Sequence, residues 1–277
     1  MKRLQSFDAL RAVAALLVVF YHQTEVGGAP FGHNLTDGWI GVDLFFVLSG
    51  FFIGLSILKT QKWSLQKFMV RRCKRIMPAY YFSITLIIAL ASGYFLVTWN
   101  GLKHIFLHLT FLHPYSYGTH GSINGAYWSL GVEFAFYIVI GLSAQFIRDK
   151  QKFWWVIVSW VVIAWLWRGG CFLWLDQPPI FKFIWTTQLP GMLDEFALGL
   201  LVARIASDGA IQKLFTHKII LAIFFLISTF LFGSFVVRLG QINYWNDAYS
   251  VIFSRTQLAM GFALLLVVFL ILENNAL

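Results

Sequence analysis

The segment Trp39-Ile40-Gly41-Val42-Asp43-Leu44-Phe45-Phe46-Val47-Leu48-Ser49-Gly50-Phe51-Phe52-Ile53-Gly54-Leu55-Ser56-Ile57-Leu58 decides the fold. It has the length a helix needs to cross a bilayer core, about 20 residues, and Asp43 is its single ionisable side chain. Comparable apolar stretches lie near 7–22, 78–97, 127–147, 153–167, 189–205, 219–237 and 254–272. The pattern predicts an all-α, polytopic transmembrane helix bundle of about eight spans. Leu102 to His113 is too short to cross unaided and carries His104, His108 and His113, so it reads as one further short re-entrant or interfacial helix.

Composition agrees. Of 277 residues 59% are hydrophobic and 12% charged, against roughly 45–50% and about 25% in soluble domains. A mean hydropathy of +0.72, with 29 Phe, 12 Trp and 10 Tyr, excludes both a soluble globule and a disordered chain. The net charge of +9 would suggest a polynucleotide in a soluble protein, but in a membrane protein Lys and Arg gather in cytoplasmic loops. No nucleic acid is therefore expected as a partner. Cys73 and Cys171 are isolated, and no metal-ligand spacing surrounds them.

With the amino terminus placed in the cytoplasm, eight crossings put Lys2, Arg3, Lys59, Lys62, Lys67, Arg71, Arg72, Lys74, Arg75, Arg148, Lys150, Lys152, Arg204, Lys213 and Lys218 inside. Only Lys103, Arg168, Lys182, Arg238 and Arg255 fall outside, with Arg11 inside the first span. This asymmetry favours a multi-pass protein of the inner or plasma membrane. Arg11 interrupts the first apolar stretch and no small-residue cleavage site follows, so that stretch is read as a retained helix rather than a signal peptide. No repeat or soluble appendage is visible, and 1–277 reads as a single transmembrane domain.

Ionisable groups within spans are costly against lipid and mark functional candidates. Asp8, Arg11 and His22 fall on one stripe of the first helix, since eleven residues return to within about 20° of the same face, roughly 16 Å further along. Taken singly, Arg11 could snorkel and His22 could sit at an interface; together they suggest a polar path. Asp43 enters its span at the level of His22, where a carboxylate could fix one imidazole tautomer and strengthen the other nitrogen as a base. Ser49 and Gly50 are more simply read as helix packing. Arg71-Arg72-Cys73-Lys74-Arg75 exceeds what topology requires, and Arg72 and Arg75, at i and i+3, share a face suited to phosphate. Pro78 is placed to begin the third span. Glu133, two turns into its stretch, must find a partner on another helix. His104 and His108 have i, i+4 spacing but lack the glutamate of a zinc-protease motif, so they are read as interfacial rather than metal-binding.

In chain order, FDALRAVAALLVVFYH (7–22), GWIGVDLFFVLSGFFI (38–53), FMVRRCKRIMPAYY (68–81) and YWSLGVEFAFY (127–137) resemble the signature segments of the acyltransferase 3 family. LPGMLDEFALGLLVARI (189–205) resembles a later, weaker segment. These are integral-membrane enzymes that O-acetylate bacterial surface polysaccharides. The resemblance implies that His22 is the essential histidine and Arg11 the arginine preceding it. It implies that Arg72 and Arg75 hold acyl-CoA, and that Asp43 and Glu133 fill the family's acidic positions. Acetyl-CoA is the implied donor and a carbohydrate or lipid-linked glycan the implied acceptor; no permanently bound cofactor and no metal is implied. Family members usually carry a further carboxyl-terminal helix, which predicts a shortened form here. In the implied mechanism His22 is a general base, oriented by Asp43 or Glu133, with an acyl-histidine route as the alternative. A transporter or flippase, or an inactive truncated acyltransferase, would use the same intramembrane charges.

Overall fold

A computed structural model describes residues 5–25, 37–90, 94–174, 178–209, 218–241 and 243–275. Lys2, Arg3, Lys213 and the terminal Ala276-Leu277 lie outside them, as do residues 26–36 of the loop after the first helix. The described residues are predominantly helical, with no strand among them. The described residues form thirteen α-helices in chain order: α1 Gln5–Glu25, α2 Ile40–Lys59, α3 Leu65–Leu90, α4 Tyr94–Val97, α5 Trp99–Leu109, α6 Tyr117–His120, α7 Tyr127–Leu142, α8 Ala144–Arg148, α9 Lys150–Trp174, α10 Pro179–Thr186, α11 Leu189–Ser207, α12 Lys218–Gln241 and α13 Ala248–Asn275. Short 3₁₀ turns occupy His113–Tyr115 and Tyr244–Asn246.

Among the described residues, five helical segments are long and apolar enough to cross a membrane: Ile40–Lys59, Leu65–Leu90, Lys150–Trp174, Ile219–Gly240 and Ala248–Glu273. The other three expected spans also fold as helices. α7 has only 16 residues, and α1 and α11 are interrupted by charge: Asp8 and Arg11 in one, Asp194, Glu195 and Arg204 in the other. The short helix expected over 102–113 forms as α5, capped by the Thr98 side chain accepting from the Gly101 amide at 3.0 Å. Its 11 residues extend about 16 Å, half a bilayer core.

The third span departs from expectation. Pro78 does not begin a helix; it lies inside α3, which starts at Leu65. Proline removes the amide that would bond the Lys74 carbonyl, and membrane helices tolerate that loss where neighbours or water satisfy the freed group. The basic cluster therefore sits on a helix rather than in the loop before one.

α2 is the centre of the bundle. Most of its residues are buried, whereas α3 and α12 turn most of their surface outward. Its principal partner is α11, and glycine is what brings the two together. A Cβ on Gly50 would overlap the Phe196 carbonyl, and one on Gly199 would overlap the Val47 carbonyl. Between apolar helices in lipid no hydrophobic force favours association, so close backbone approach and van der Waals packing must supply it. Phe196 fills the space beside this crossing, stacked on Phe136 with ring centroids 3.7 Å apart and tilted against Phe46 at 4.7 Å. α1 lies against α2 through Gly41, where an added Cβ would come 2.5 Å from the Ala14 carbonyl oxygen.

Two of the cations expected on the outer side lie within the helix bundle. Arg168 is wholly buried on α9, and Arg255 is buried on α13. Tertiary ion pairs, Arg168 with Asp194 and Arg255 with Asp43, draw them into the bundle.

Candidate active site

α1 carries its two functional candidates into two different cavities. His22 lines a cavity of about 310 Å³ with Val18, Trp39 and Val42, closed by Trp128 of α7, Phe183 of α10, Tyr244 and Trp245 of the second 3₁₀ turn, and Arg255 of α13. Arg11 lines a cavity of about 210 Å³ with Phe45, Ser49 and Phe52 of α2, Arg72, Arg75 and Ile76 of α3, and Glu133 and Tyr137 of α7. Eleven residues of continuous helix separate them, a rise of about 16 Å.

In the first cavity His22 Nδ1 lies 2.8 Å from the Val18 carbonyl oxygen. A carbonyl only accepts, so this contact places the proton on Nδ1 and leaves the Nε2 lone pair free. Gly125, in the loop before α7, lies along that edge: a Cβ there would sit 3.6 Å from Nε2. The glycine leaves the basic nitrogen uncovered. Around it the walls are mostly aromatic, from Tyr21 and Trp39 to Trp128, Phe183, Tyr244 and Trp245, with the carboxylate of Asp37 also in the lining.

The expected pairing of His22 with Asp43 or Glu133 is not found. Asp43, fully buried, accepts through Oδ1 from Arg255 Nη1 at 2.7 Å, and its Oδ2 has no hydrogen-bond partner. Glu133 belongs to the other cavity, where its Oε1 accepts from Ser49 Oγ at 2.6 Å and from Tyr137 Oη at 2.8 Å. The tautomer-fixing role expected of a carboxylate is filled by the backbone of α1 itself. Equal depth along neighbouring helices does not imply contact, because the rotation of α2 turns Asp43 toward α13 rather than α1.

The second cavity meets the sequence-based grouping of Arg11, Arg72 and Arg75 and adds Glu133 to it. Arg11 lies 3.9 Å from Asp8 and its guanidinium sits 4.0 Å over the Phe52 ring. Arg72 sits 5.2 Å over Phe68 and 5.6 Å over Tyr137. Three guanidinium groups, with Glu133 in the cavity and Asp8 beside Arg11, leave a net positive concavity, and fork-shaped donors on aromatic platforms suit phosphate oxygens. Ser49 and Gly50 have different tasks: Gly50 packs on α11, whereas Ser49 bonds Glu133.

Arg255 and the α11 acids Asp194 and Glu195 were not singled out from the sequence as site residues. Glu195 Oε1 approaches Arg255 Nη1 at 3.9 Å, and Asp194 pairs with Arg168 at 2.5 Å. Adjacent acids in an otherwise apolar segment were the available signal. Of the histidines expected at an interface, His104 is half-buried, whereas His108 and His113 lie inside the protein, fully buried with rings stacked at 4.1 Å. Among the described residues no cluster of His, Cys, Asp and Glu is arranged to hold a metal ion.

These features define a helical membrane-protein class with a cationic cavity and a histidine cavity at opposite ends of one helix. The chain belongs to the acyltransferase 3 family: residues 4–276 match the family described as Acyltransferase domain. It is 28% identical over 185 residues, 59% of this chain and 53% of the relative, to the O-acetyl transferase of Shigella phage Sf6. It is 30% identical over 159 residues to the peptidoglycan O-acetyltransferase OatA of Listeria monocytogenes, covering 50% of this chain and 24% of that protein. The O-acetyltransferase OatA of Staphylococcus aureus is 26% identical over 170 residues, 54% of this chain and 26% of the relative. The matches thus span about half or less of those relatives. No solved structure matches the chain.

Proposed function

We propose that this protein is a multi-pass membrane O-acyltransferase that moves an acetyl group from acetyl-CoA to a hydroxyl of a surface or lipid-linked polysaccharide. The observation that carries the proposal is the division of α1 between an arginine-lined cavity and a histidine-containing cavity. CoA phosphates are held by Arg72 and Arg75, with Arg11 beside the pantetheine arm. The thioester reaches the His22 cavity along α1. There His22 Nε2 accepts the proton of the acceptor hydroxyl as its oxygen attacks the thioester carbonyl, and that proton then passes to the departing thiolate. Flat aromatic walls suit an acceptor with apolar ring faces and polar edges, which is the shape of a sugar. Glu133 moderates the charge of the donor cavity rather than touching the acceptor.

The same reading keeps the eight-span topology, with the Arg11 end of α1 on the cytoplasmic side of the inner or plasma membrane. The donor is cytoplasmic, which requires the cationic cavity there. Thiol reagents applied to intact cells then reach Cys171 from outside and Cys73 only after permeabilisation; labelling of both without permeabilisation overturns the topology.

Radiolabelled acetyl-CoA given to membranes containing the full chain should transfer its label to the glycan fraction. His22→Ala should lower the rate by about 10²–10⁴-fold while acetyl-CoA still binds. A His22→Ala protein of undiminished activity overturns the assignment.

A further inference from the structure

The His22 cavity contains one strong cation among its described lining residues, and it comes from the last helix. Arg255 of α13 has a side chain 6% exposed, lies 4.8 Å over the Trp39 ring and donates from Nη1 to Asp43 Oδ1 at 2.7 Å. A guanidinium has five N–H donors; that bond engages one of them, while the side chain lines the cavity shared with His22. Stability gives little reason to keep such a pair, because a buried ion pair is commonly no better than apolar side chains of the same volume. Its position gives a reason. Acyl transfer passes through a tetrahedral intermediate whose former carbonyl oxygen is an anion, and fixed donors in a water-poor cavity stabilise that oxygen more than they stabilise the thioester.

We propose that Arg255 is a further catalytic residue, supplying N–H donors to the acyl carbonyl oxygen as it becomes the oxyanion, and that Asp43 acts only through Arg255 as its positioning residue. The inference rests on the acyl-transfer reading of the His22 cavity. In the first half of the step the acceptor oxygen bonds to the carbonyl carbon, its proton goes to His22 Nε2, and the carbonyl π pair moves onto the oxygen facing Arg255. In the second half that pair re-forms the carbonyl, the C–S bond breaks, and the thiolate takes the proton from His22. Asp43 bonds the guanidinium without itself lining the cavity, so its carboxylate needs no contact with His22.

The test uses membranes containing the full chain and radiolabelled acetyl-CoA, with label counted in the glycan fraction and acetyl-CoA affinity measured separately. Four variants are compared: Arg255→Gln, Arg255→Lys, the charge-neutral pair Asp43→Asn with Arg255→Gln, and His22→Ala. Arg255→Gln and the neutral pair should each lose about 10²–10³-fold in kcat with acetyl-CoA affinity unchanged. Arg255→Lys, which keeps the charge without the fork, should fall between them and the parent. Should Arg255→Gln fail to fold because Asp43 is left unpaired, the neutral pair and Arg255→Lys carry the test. A neutral pair that transfers at the parent rate overturns the proposal, since Arg255 would then serve only to balance Asp43. A raised KM with unchanged kcat also overturns it. An active His22→Ala variant instead removes the acyl-transfer reading of the cavity, whatever the Arg255 variants do.

Discussion

Arg168 of α9 and Asp194 of α11 are both wholly buried, and they are joined by a hydrogen bond of 2.5 Å between Nη2 and Oδ2. Thr256 of α13 completes the joint. Its hydroxyl accepts from Arg168 Nη2 at 3.0 Å and from Trp165 Nε1 at 2.8 Å, and donates to Asp194 Oδ2 at 2.5 Å. Three helices are thus fastened at one point, while the neighbouring acid, Glu195, faces Arg255 and Asp43.

Breaking such a buried pair leaves a charge without compensation, whereas removing both charges does not. Arg168→Met should lower stability by about 3–5 kcal/mol. Arg168→Met combined with Asp194→Leu should recover most of the loss. Thermal melting in detergent distinguishes the two, and equal destabilisation by the single and double changes would contradict the pairing.

The donor cavity predicts unequal arginines. Arg72 is half-buried over Phe68 and Tyr137, whereas Arg75 is exposed. Arg72→Gln should weaken acetyl-CoA binding by about 1.5–3 kcal/mol, the value of a charge-assisted hydrogen bond. Arg75→Gln should cost less, because solvent screens an exposed charge, and the exposed Lys62→Gln should have no effect. Isothermal titration with acetyl-CoA gives the order. Equal effects at all three sites would mean that the cluster only anchors α3.

Gly125 leaves the Nε2 edge of His22 open. Gly125→Ala should be tolerated, since its methyl would make ordinary contact with the ring. The branched side chain of Gly125→Val should displace the imidazole or the attacking hydroxyl and lower kcat by up to about 10²-fold. Binding at the distant Arg11 cavity should not change. Steady-state transfer and acetyl-CoA affinity, measured on the same preparations, separate the two effects.

The histidines between α5 and α7 predict a pH dependence. Burial, together with the neighbouring His108, pushes His113 down to about 3, and burial pushes His120 down to about 4. Both rings are neutral in the fold, whereas an unfolded histidine takes its proton near 6.5. The unfolded chain then binds more protons, so stability falls as pH drops below about 6.5 and declines further toward the folded values. Protection factors over residues 113–127, hydrogen-exchange rates taken relative to the intrinsic rate at each pH, should fall between about pH 7 and about pH 5. His120→Phe should flatten that dependence, because its aromatic ring can still stack on Trp128, as His120 does with centroids 5.7 Å apart.

The sequence by itself determined the helices, because their signal is local. An apolar run of sufficient length must fold with its backbone bonded internally in lipid, and the helical repeat alone aligned Arg11 with His22 and Arg72 with Arg75. Those four residues occupy the two cavities in the expected grouping. Helix ends were less legible. The start of α3 at Leu65 was obscured by its own arginines and by Pro78, which resemble a loop and a first turn.

Only the tertiary structure decided the partners. Asp43 finds Arg255, 212 positions away, and Glu133 finds Ser49, 84 positions away, and neither reaches His22. Such choices depend on how each helix is rotated about its axis. That rotation is set by where backbones touch, at Gly50 against Phe196 and Gly199 against Val47. The hydrophobic pattern along one helix carries no information about that rotation when neighbouring protein and lipid are equally apolar. Close packing and the need to pair every buried charge select one arrangement of the assembled bundle.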